Sequence, residues 1–466
     1  EALVTDTVID QDLGGGGLTV SARNGGSSLL LAGAVRGTAE DDDSGDDPDA
    51  PDNPDAPDAP DVPDVPDAPG ADGEGGEEAE GGGDGSGGFS VGIAFAGNVQ
   101  TETVRALIDE STVSAGEVTV SAQRDGSIDG AAASSGSSDS FTLAAAAAVN
   151  VTNRDVTADL VGVSVEAGAV AVTGADSADS RARIGSDAAA GDISIGAAAA
   201  VVVEDRLVRA RITGADVTGN AAVTVSATQS GSVDVMQKGG GESEEGFAGN
   251  IGVGVAVSDR TTRALISATD IAGSSARVRA TSEGELINRQ GLSVDAETAG
   301  AIGVIVTDLS ADTSARIVGG SVDAGNGDVD INARQETRVL ARSGKTGSGD
   351  NALDVMVSSA TIDGTLLAEA RDTDLSGGTD TITATDTSIL QAAAIARAET
   401  GGVGIVGGVA YARTGLDVNA LVTDTALDFA DQTEIVATGE AALTGTVVGM
   451  NFGGGNFAAA LQAGWL

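Results

Sequence analysis

The sequence predicts an all-β chain folded as a parallel β-solenoid, and three observations support that prediction. One residue pattern recurs along the chain with a period near 52 residues. Within each recurrence, apolar and polar residues alternate over short segments, as they do in strands. No proline interrupts the recurring part, so every backbone amide there is free to join a sheet. A fixed period of this length indicates stacked, similar units, and we expect about eight of them.

The clearest column of the repeat is an alanine that lies two residues after a valine or isoleucine. From Val120 onward, the valine or isoleucine recurs after steps of 52, 53, 53, 53, 51 and 53 residues. The step from Val20 to Val120 is 100 residues, close to two repeats. The alanines of this column are Ala22, Ala122, Ala227, Ala280, Ala333, Ala384 and Ala437. Because the columns keep their phase, each unit should place the same residue type at the same position.

Two of the segments in each unit alternate as strands do. In the segment 118–122, Val118 and Val120 should point inward while the hydroxyl residues point outward. In the segment 104–108, Ala106 and Ile108 should share the inner face and Arg105 should face solvent. Each 52-residue unit would then form either one large coil or two small ones.

The segment that opens each unit is apolar on both faces, as residues 141–151 illustrate. Other copies, such as 250–257, alternate glycine with branched residues, which favours a strand over a helix. Such a strand either lies under another layer or forms an exposed apolar stripe, and burial under another layer is the expected case.

The pattern divides the chain into four regions. Residues 1–36 hold part of one repeat, residues 37–88 form an insert, residues 89–456 hold seven repeats, and residues 457–466 begin another. Both ends fall within a repeat, so we expect this chain to be a segment of a longer protein.

The insert is acidic and rich in proline and glycine. Residues 37–88 carry 19 acidic and no basic residues. Prolines recur every third residue from Pro48 to Pro69, and aspartates follow the same period from Asp49 to Asp67. This spacing predicts either a disordered segment or a polyproline II helix with a ridge of carboxylates. Such a ridge would bind Ca²⁺ weakly, although a charged surface loop is the simpler interpretation.

Composition excludes several classes of function. The chain has no cysteine and no histidine, which removes thiol chemistry and the Ser-His-Asp arrangement. Its formal net charge of −47 disfavours binding to nucleic acids and to anionic membranes. No apolar run approaches the ~20 residues that a membrane-spanning helix needs. We therefore predict neither nucleic-acid partners nor membrane insertion in this segment.

No motif predicts a catalytic, cofactor-binding or metal-binding residue. The segment 325–331 partly matches a calcium-binding repeat but occurs once, so a turn before a strand is the better interpretation. The hydroxyl pairs Thr119/Ser121 and Thr224/Ser226 suggest an ice-binding row, but charged residues interrupt that row in other units. Pairs of acids such as Glu244/Glu245 and Asp372/Asp374 are expected by chance in so acidic a chain. We predict that the chain is not an enzyme and has no resident cofactor.

The unit from Asn98 to Ala122 resembles the repeats of very large secreted bacterial filamentous adhesins of the leukotoxin and filamentous-haemagglutinin type. The shared elements are Thr-x-Ala-x-Ile, approximated here at 104–108, and Val-Thr-Val-x-Ala at 118–122. The resemblance covers nearly everything except residues 37–88, and the acidic insert departs from it. It implies a right-handed β-helix, export from the cell and a role in attachment, without catalytic residues.

These observations predict a structural shaft of a secreted or cell-surface adhesin, which holds adhesive regions away from the cell. Its partners would be host-cell, cell-surface or matrix components, or copies of itself. One alternative is a subunit of a self-assembling extracellular filament or matrix, joined through the apolar stripe or through exposed coil ends. Another is a β-helix that acts on polysaccharides.

Overall fold

The computed structural model describes residues 1–10, 16–36 and 88–465. The predicted disordered or polyproline insert, with its Asp-Pro ridge and its weak Ca²⁺ site, lies outside the described residues except for Gly88. Within the described part, the secondary structure consists of strands and of the turns and bends between them. The prediction of an all-β fold is therefore confirmed.

The strands are long and follow one another with short interruptions. In chain order they are β1 (Ala2–Thr5), β2 (Val8–Asp10), β3 (Gly17–Asn24), β4 (Ser28–Arg36), β5 (Phe89–Asp109), β6 (Thr112–Arg124), β7 (Ser127–Ser138), β8 (Phe141–Val161), β9 (Ser164–Asp176), β10 (Asp179–Ala190), β11 (Ile193–Thr213), β12 (Asp216–Ser230), β13 (Val233–Ser243), β14 (Phe247–Asp295), β15 (Thr298–Asp323), β16 (Val329–Gly349), β17 (Asn351–Arg371), β18 (Asp374–Asp386), β19 (Ile389–Thr423), β20 (Ala426–Gly439) and β21 (Ala442–Trp465).

Every strand pairing in the described residues is parallel, and its register follows the sequence period. Val120 pairs with Val172, and Val172 pairs with Val225, so the column found in the sequence is a physical stack. Each strand thus pairs with the equivalent strand one repeat further along the chain. One repeat therefore forms one large coil, and the alternative of two small coils is wrong.

Each complete coil has two walls that face each other. The first wall is a stack of 21-residue segments, and we call it the long wall. Its segments are 89–109, 141–161, 193–213, 247–267, 298–318 and 351–371. The opposite wall, here the split wall, consists of two shorter strands per coil that meet at a turn, as β6 and β7 do. A sequence of one 21-residue, one 13-residue and one 12-residue strand, as in β8 to β10, makes one coil.

The space between the walls holds two separate hydrophobic cores. The first is built from valine, isoleucine and alanine, and it joins the later half of the long wall to the first strand of the split wall. Ala106, Ile108, Val118 and Val120 lie in it without solvent exposure, as the alternation predicts. The second core is richer in alanine and joins the earlier half of the long wall to the other split-wall strand. Small side chains allow the two walls to approach closely, which is the thin core that the composition implies.

The N-terminal coil shows where the insert interrupts the repeat in the sequence. Val20 pairs directly with Val120, and β4 pairs with β7, so these strands belong to neighbouring coils despite a separation of 100 residues. The interpretation of that step as close to two repeats is therefore wrong. The step of 100 residues comprises one coil plus the insert. β4 ends at Arg36 and β5 begins at Phe89, so the insert falls between strands that other coils connect through residues such as Asp139 and Ser140.

Candidate interaction surface

The outer side of the long wall carries a continuous apolar surface along its earlier half. We call this surface the apolar face: it comprises the outward side chains at alternate positions of 89–99, 141–151, 193–203, 247–257, 298–306 and 351–357. Its side chains include Ile93, which is 66% exposed, and Ile251, which is 50% exposed. Other exposed members are Phe89, Phe95, Val99, Ile193, Phe247, Val253, Ile302, Val306 and Leu353. No described residue covers this face, so the exposed stripe is correct and the expected burial under another layer is wrong.

Large and small side chains are distributed unevenly over the apolar face. One column reads Ile93, Ala145, Ala197, Ile251, Ile302 and Val355 on successive coils, so its two alanines lie between larger residues. In the neighbouring column the small residues are two glycines, and they lie on the two coils after Leu143 and Ile195. That column reads Val91, Leu143, Ile195, Gly249 and Gly300.

The glycines of this second column leave a hollow in the apolar face. It has a volume of about 500 Å³, and its lining includes Phe247, Gly300, Ile302 and Leu353. The ring of Phe247 lies over Gly249, because a Cβ atom there would come within 2.9 Å of the ring. Over Gly300 the ring is further away, at 3.8 Å, so the hollow stays open there.

Acidic residues border the apolar face on both sides. One border is the corner at which each coil enters the long wall, where the exposed residues are Asp139, Asp192, Glu245, Glu297 and Asp350. The other border, further along the long wall, includes Asp205, Asp259 and Asp308. The pKa of Asp259 is raised, first by burial and then by the neighbouring carboxylates of Asp205 and Asp312. The borders therefore repel other anions.

A buried charged seam separates the two hydrophobic cores. Arg154, Arg206 and Arg260 stack on successive coils of the long wall, and Arg124 lies on the facing strand of the split wall. Their partners are carboxylates: Glu204 accepts from Arg206 at 2.6 Å and from Arg154 at 3.0 Å. Arg124 is paired with Glu102, and Arg154 lies 3.7 Å from Asp176.

The seam arginines also bind the turn in the split wall. Arg154 donates to the carbonyl oxygen of Ala178 at 3.1 Å, and Arg260 donates to those of Glu283 and Gly231 at 3.2 Å. These bonds connect the middle of the long wall to the point where the split wall turns. The seam therefore fixes the two walls relative to each other.

Burial and charge act on Glu204 in opposite directions. Burial alone would raise its pKa, but the guanidinium groups of Arg206 and Arg154 outweigh burial and lower the pKa to about 2. The pKa of Arg260 falls to about 10, first because of burial and then because of the neighbouring positive charge of Arg206. The seam ends after Arg260, where the next coils place Ala311 and Gly364 in the same column.

Asp354 and Asp380 are buried acids that lie outside the seam. Lys345 and Asp354 form an ion pair at 2.6 Å in the second core, and neither side chain is exposed. Asp380 lies in the first core, in a column that holds valine or alanine on earlier coils, such as Val329 directly beneath it. Neither carboxylate oxygen of Asp380 has a hydrogen-bond partner among the described residues. Its pKa rises to about 6, because of burial first and the charge of Asp330 second.

The structure does not bring the acids and hydroxyls noted in the sequence into one site. The segment 325–328 forms a turn that leads into β16, as expected. Thr119, Ser121, Thr224 and Ser226 face outward in columns that also hold Arg277 and Asp330. Glu244 and Glu245 are exposed at a corner, and Asp372 lies in a turn with a φ of 53°. No three acidic residues of the described part are arranged to hold a metal ion.

The positions of three arginines in the sequence indicate the seam, although these arginines are not part of the repeat columns described above. Arg154, Arg206 and Arg260 recur in phase with the repeat, and they have the same parity as the buried Val156 and Ala158. An arginine at an inward position is unusual enough to predict a buried ion-pair network.

Comparison with known proteins gave no relative. No family model matches the chain, and neither a curated protein nor a solved structure is significantly similar to it. Residues 1–10, 16–36 and 88–465 contain no helix with the length and apolar character of a membrane span. The site and the fold are therefore the basis for any functional proposal.

Proposed function

We propose that this chain is a non-catalytic structural shaft, composed of about eight right-handed coils, from a secreted or cell-surface bacterial adhesin. A right-handed coil is the usual hand of connections between parallel strands. The shaft holds adhesive regions away from the cell and lets them reach host-cell, cell-surface or matrix components. The resemblance of 98–122 to adhesin repeats supports this role.

The observation that carries the proposal is the unbroken in-register stacking of one repeat. Residues of the same type lie above one another from Val20 through Val120 and Val172 to Val225. Such a stack adds about 4.8 Å of length for each coil, the distance between neighbouring strands. Its backbone hydrogen bonds run along the long axis, which is the direction in which a shaft carries load.

Electron microscopy of the purified chain tests the shaft, combined with a cell-binding assay. We expect straight rods of uniform length that do not themselves adhere to cells. Globular particles, or adhesion by the purified chain alone, would contradict a spacer role.

The apolar face favours a second candidate, a self-assembling extracellular filament or matrix. An exposed apolar surface of this extent marks a site of association. The same micrographs separate the two candidates, since open assembly gives fibres of indefinite length and a shaft gives rods of one length.

A further inference from the structure

We propose that two copies of this chain pack face to face through their apolar faces, about a two-fold axis that runs along the strands between β11 and β14. This pairing goes beyond the spacer role, because a shaft serves that role either singly or paired. It also differs from open filament assembly, because a two-fold contact uses the same surface on both partners and closes at two copies.

The column of alanines and isoleucines supports this axis. A two-fold axis along the strands keeps each column opposite itself and reverses the order of the coils. Ala197 then faces Ile251 of the second copy, and Ala145 faces Ile302. Small residues of one copy therefore meet large residues of the other on the four central coils of this column, and Ile93 faces Val355 at its edge.

The neighbouring column fits the same axis with the opposite arrangement. Leu143 faces Gly300 of the second copy, where the hollow of about 500 Å³ lies. Ile195 faces Gly249, over which the ring of Phe247 lies. Leu143 projects from the same face at its own coil and would enter that hollow. About this one axis, Ala145, Ala197 and Gly300 each face a larger residue of the other copy, and this agreement selects a second copy as the partner.

The size of the apolar face is sufficient for a stable pair. Six strands spaced about 4.8 Å apart, each contributing about seven to eleven residues at roughly 3.3 Å, give on the order of 900 Å² per copy. A standard protein interface buries about 800 Å² per partner.

The acidic borders make the pairing depend on salt. The proposed axis brings each border near the same border of the second copy, so Asp192 and Glu245 of one chain approach those of the other. Repulsion between them opposes association at low ionic strength, and salt screens it. Pairing should therefore strengthen as salt is added, which is the reverse of what salt bridges between the copies would produce.

Sedimentation equilibrium of the whole chain, at about 0.05 M and about 1 M NaCl, tests the pairing, because the Debye length shortens to ~3 Å at the higher concentration. We expect a single chain of 45.2 kDa at low salt and twice that mass at high salt. A single chain at both concentrations, or masses that grow without limit, would overturn the proposal.

Three matched variants test the surface. Ala197→Asp and Ile251→Asp place a carboxylate at the centre of the face, and each should weaken association at high salt by at least about tenfold. Thr224→Asp adds the same charge to an outward position of the split wall and should leave association unchanged. Far-UV circular dichroism checks that all three variants fold. Equal association of all three would place the contact elsewhere and refute the pairing.

An exchange of side chains tests the two-fold axis itself. Ala197→Ile alone places an isoleucine opposite Ile251 of the second copy and should weaken association. The double variant Ala197→Ile with Ile251→Ala restores a large residue opposite a small one and should recover it. A double variant that associates no better than the single one would exclude this axis.

Discussion

At the scale of single residues, the interior of this solenoid is notable for the charges it contains. Most inward positions hold alanine, valine or isoleucine, yet Arg124, Arg154, Arg206 and Arg260 are buried in the same space. A buried charge is tolerated only where it is paired and hydrogen-bonded. Glu204 meets that need because it accepts hydrogen bonds from two of the arginines.

Replacement of Glu204 by glutamine should destabilise the chain. It removes the carboxylate that neutralises Arg154 and Arg206, and loss of one partner of a buried ion pair costs about 3–5 kcal/mol. Urea unfolding, followed by circular dichroism at neutral pH, measures the difference. A midpoint equal to that of the unchanged chain would contradict the seam as a stabilising network.

The same carboxylate predicts a loss of stability in acid. The pKa of Glu204 is about 2 in the folded chain, below its ordinary value of 4.5. A lowered folded-state pKa contributes stability that is present above pH 4.5 and is lost as the pH falls toward 2. The difference in unfolding free energy between the chain and Glu204→Gln should therefore shrink across that window. A difference in unfolding free energy that stays constant with pH would contradict the assignment of this stability to the Glu204 carboxylate.

The effect of Asp380 on stability should have the opposite pH dependence to that of Glu204. Its pKa rises from 3.8 to about 6 on folding, so the folded chain binds a proton more tightly, and stability falls as the pH rises between those values. Asp380→Val, which restores the residue type of Val329 below it, should stabilise the chain by about 2–3 kcal/mol at pH ~8 and much less at pH ~4. Thermal unfolding at both pH values measures this, and an equal gain at both would contradict it.

At the scale of elements, the turns of the split wall are where the seam meets the backbone. Gly284 has a φ of 131°, and a Cβ atom there would come within 2.4 Å of the carbonyl oxygen of Gly231. Only glycine adopts this conformation without strain, and the guanidinium of Arg260 fills the space beside it.

Gly284→Ala should therefore destabilise the chain by about 1–3 kcal/mol, the cost of a strained backbone conformation. The matched control is Gly185→Ala, in β10, where no atom lies within 4 Å of the added Cβ. That change should be neutral or stabilise by up to about 1 kcal/mol. Urea unfolding of both variants makes the comparison, and a similar effect of the two would refute the role of the turn.

Much of the element structure could be predicted from the sequence, because it rests on periodic side chains. Val120 and Val172 stack as their spacing implies, and Ala106 and Ile108 face inward as their alternation implies. The size of the coil was not predictable, since a 52-residue period fits one coil or two. The exposure of Ile93 and Ile251 was not predictable either. An apolar outer face has the same sequence pattern whether or not another layer covers it.

At the scale of the whole molecule, each coil contacts only its neighbours, so one coil should be removable. Deletion of 141–192 joins Ser140 to Ile193, which occupies the same register as Phe141. The shortened chain should keep its strand content and lose about 4.8 Å of length. Deletion of 141–166, half a coil, is the control and should abolish folding. Circular dichroism and small-angle scattering measure both, and equal behaviour of the two deletions would contradict stacked coils.

The end of the charged seam has a consequence for how such a chain can grow by duplication of its gene. Beyond Arg260, the equivalent interior positions hold Leu309, Ala311 and Ile362, which carry no charge. At these seam positions, a copied unit from that later part adds neither a cation nor an anion. A copied unit from the part with Arg154 or Arg206 alters the ratio of guanidinium to carboxylate. The seam therefore disfavours lengthening by recombination within its own coils, and it sets no such limit on the coils beyond Arg260.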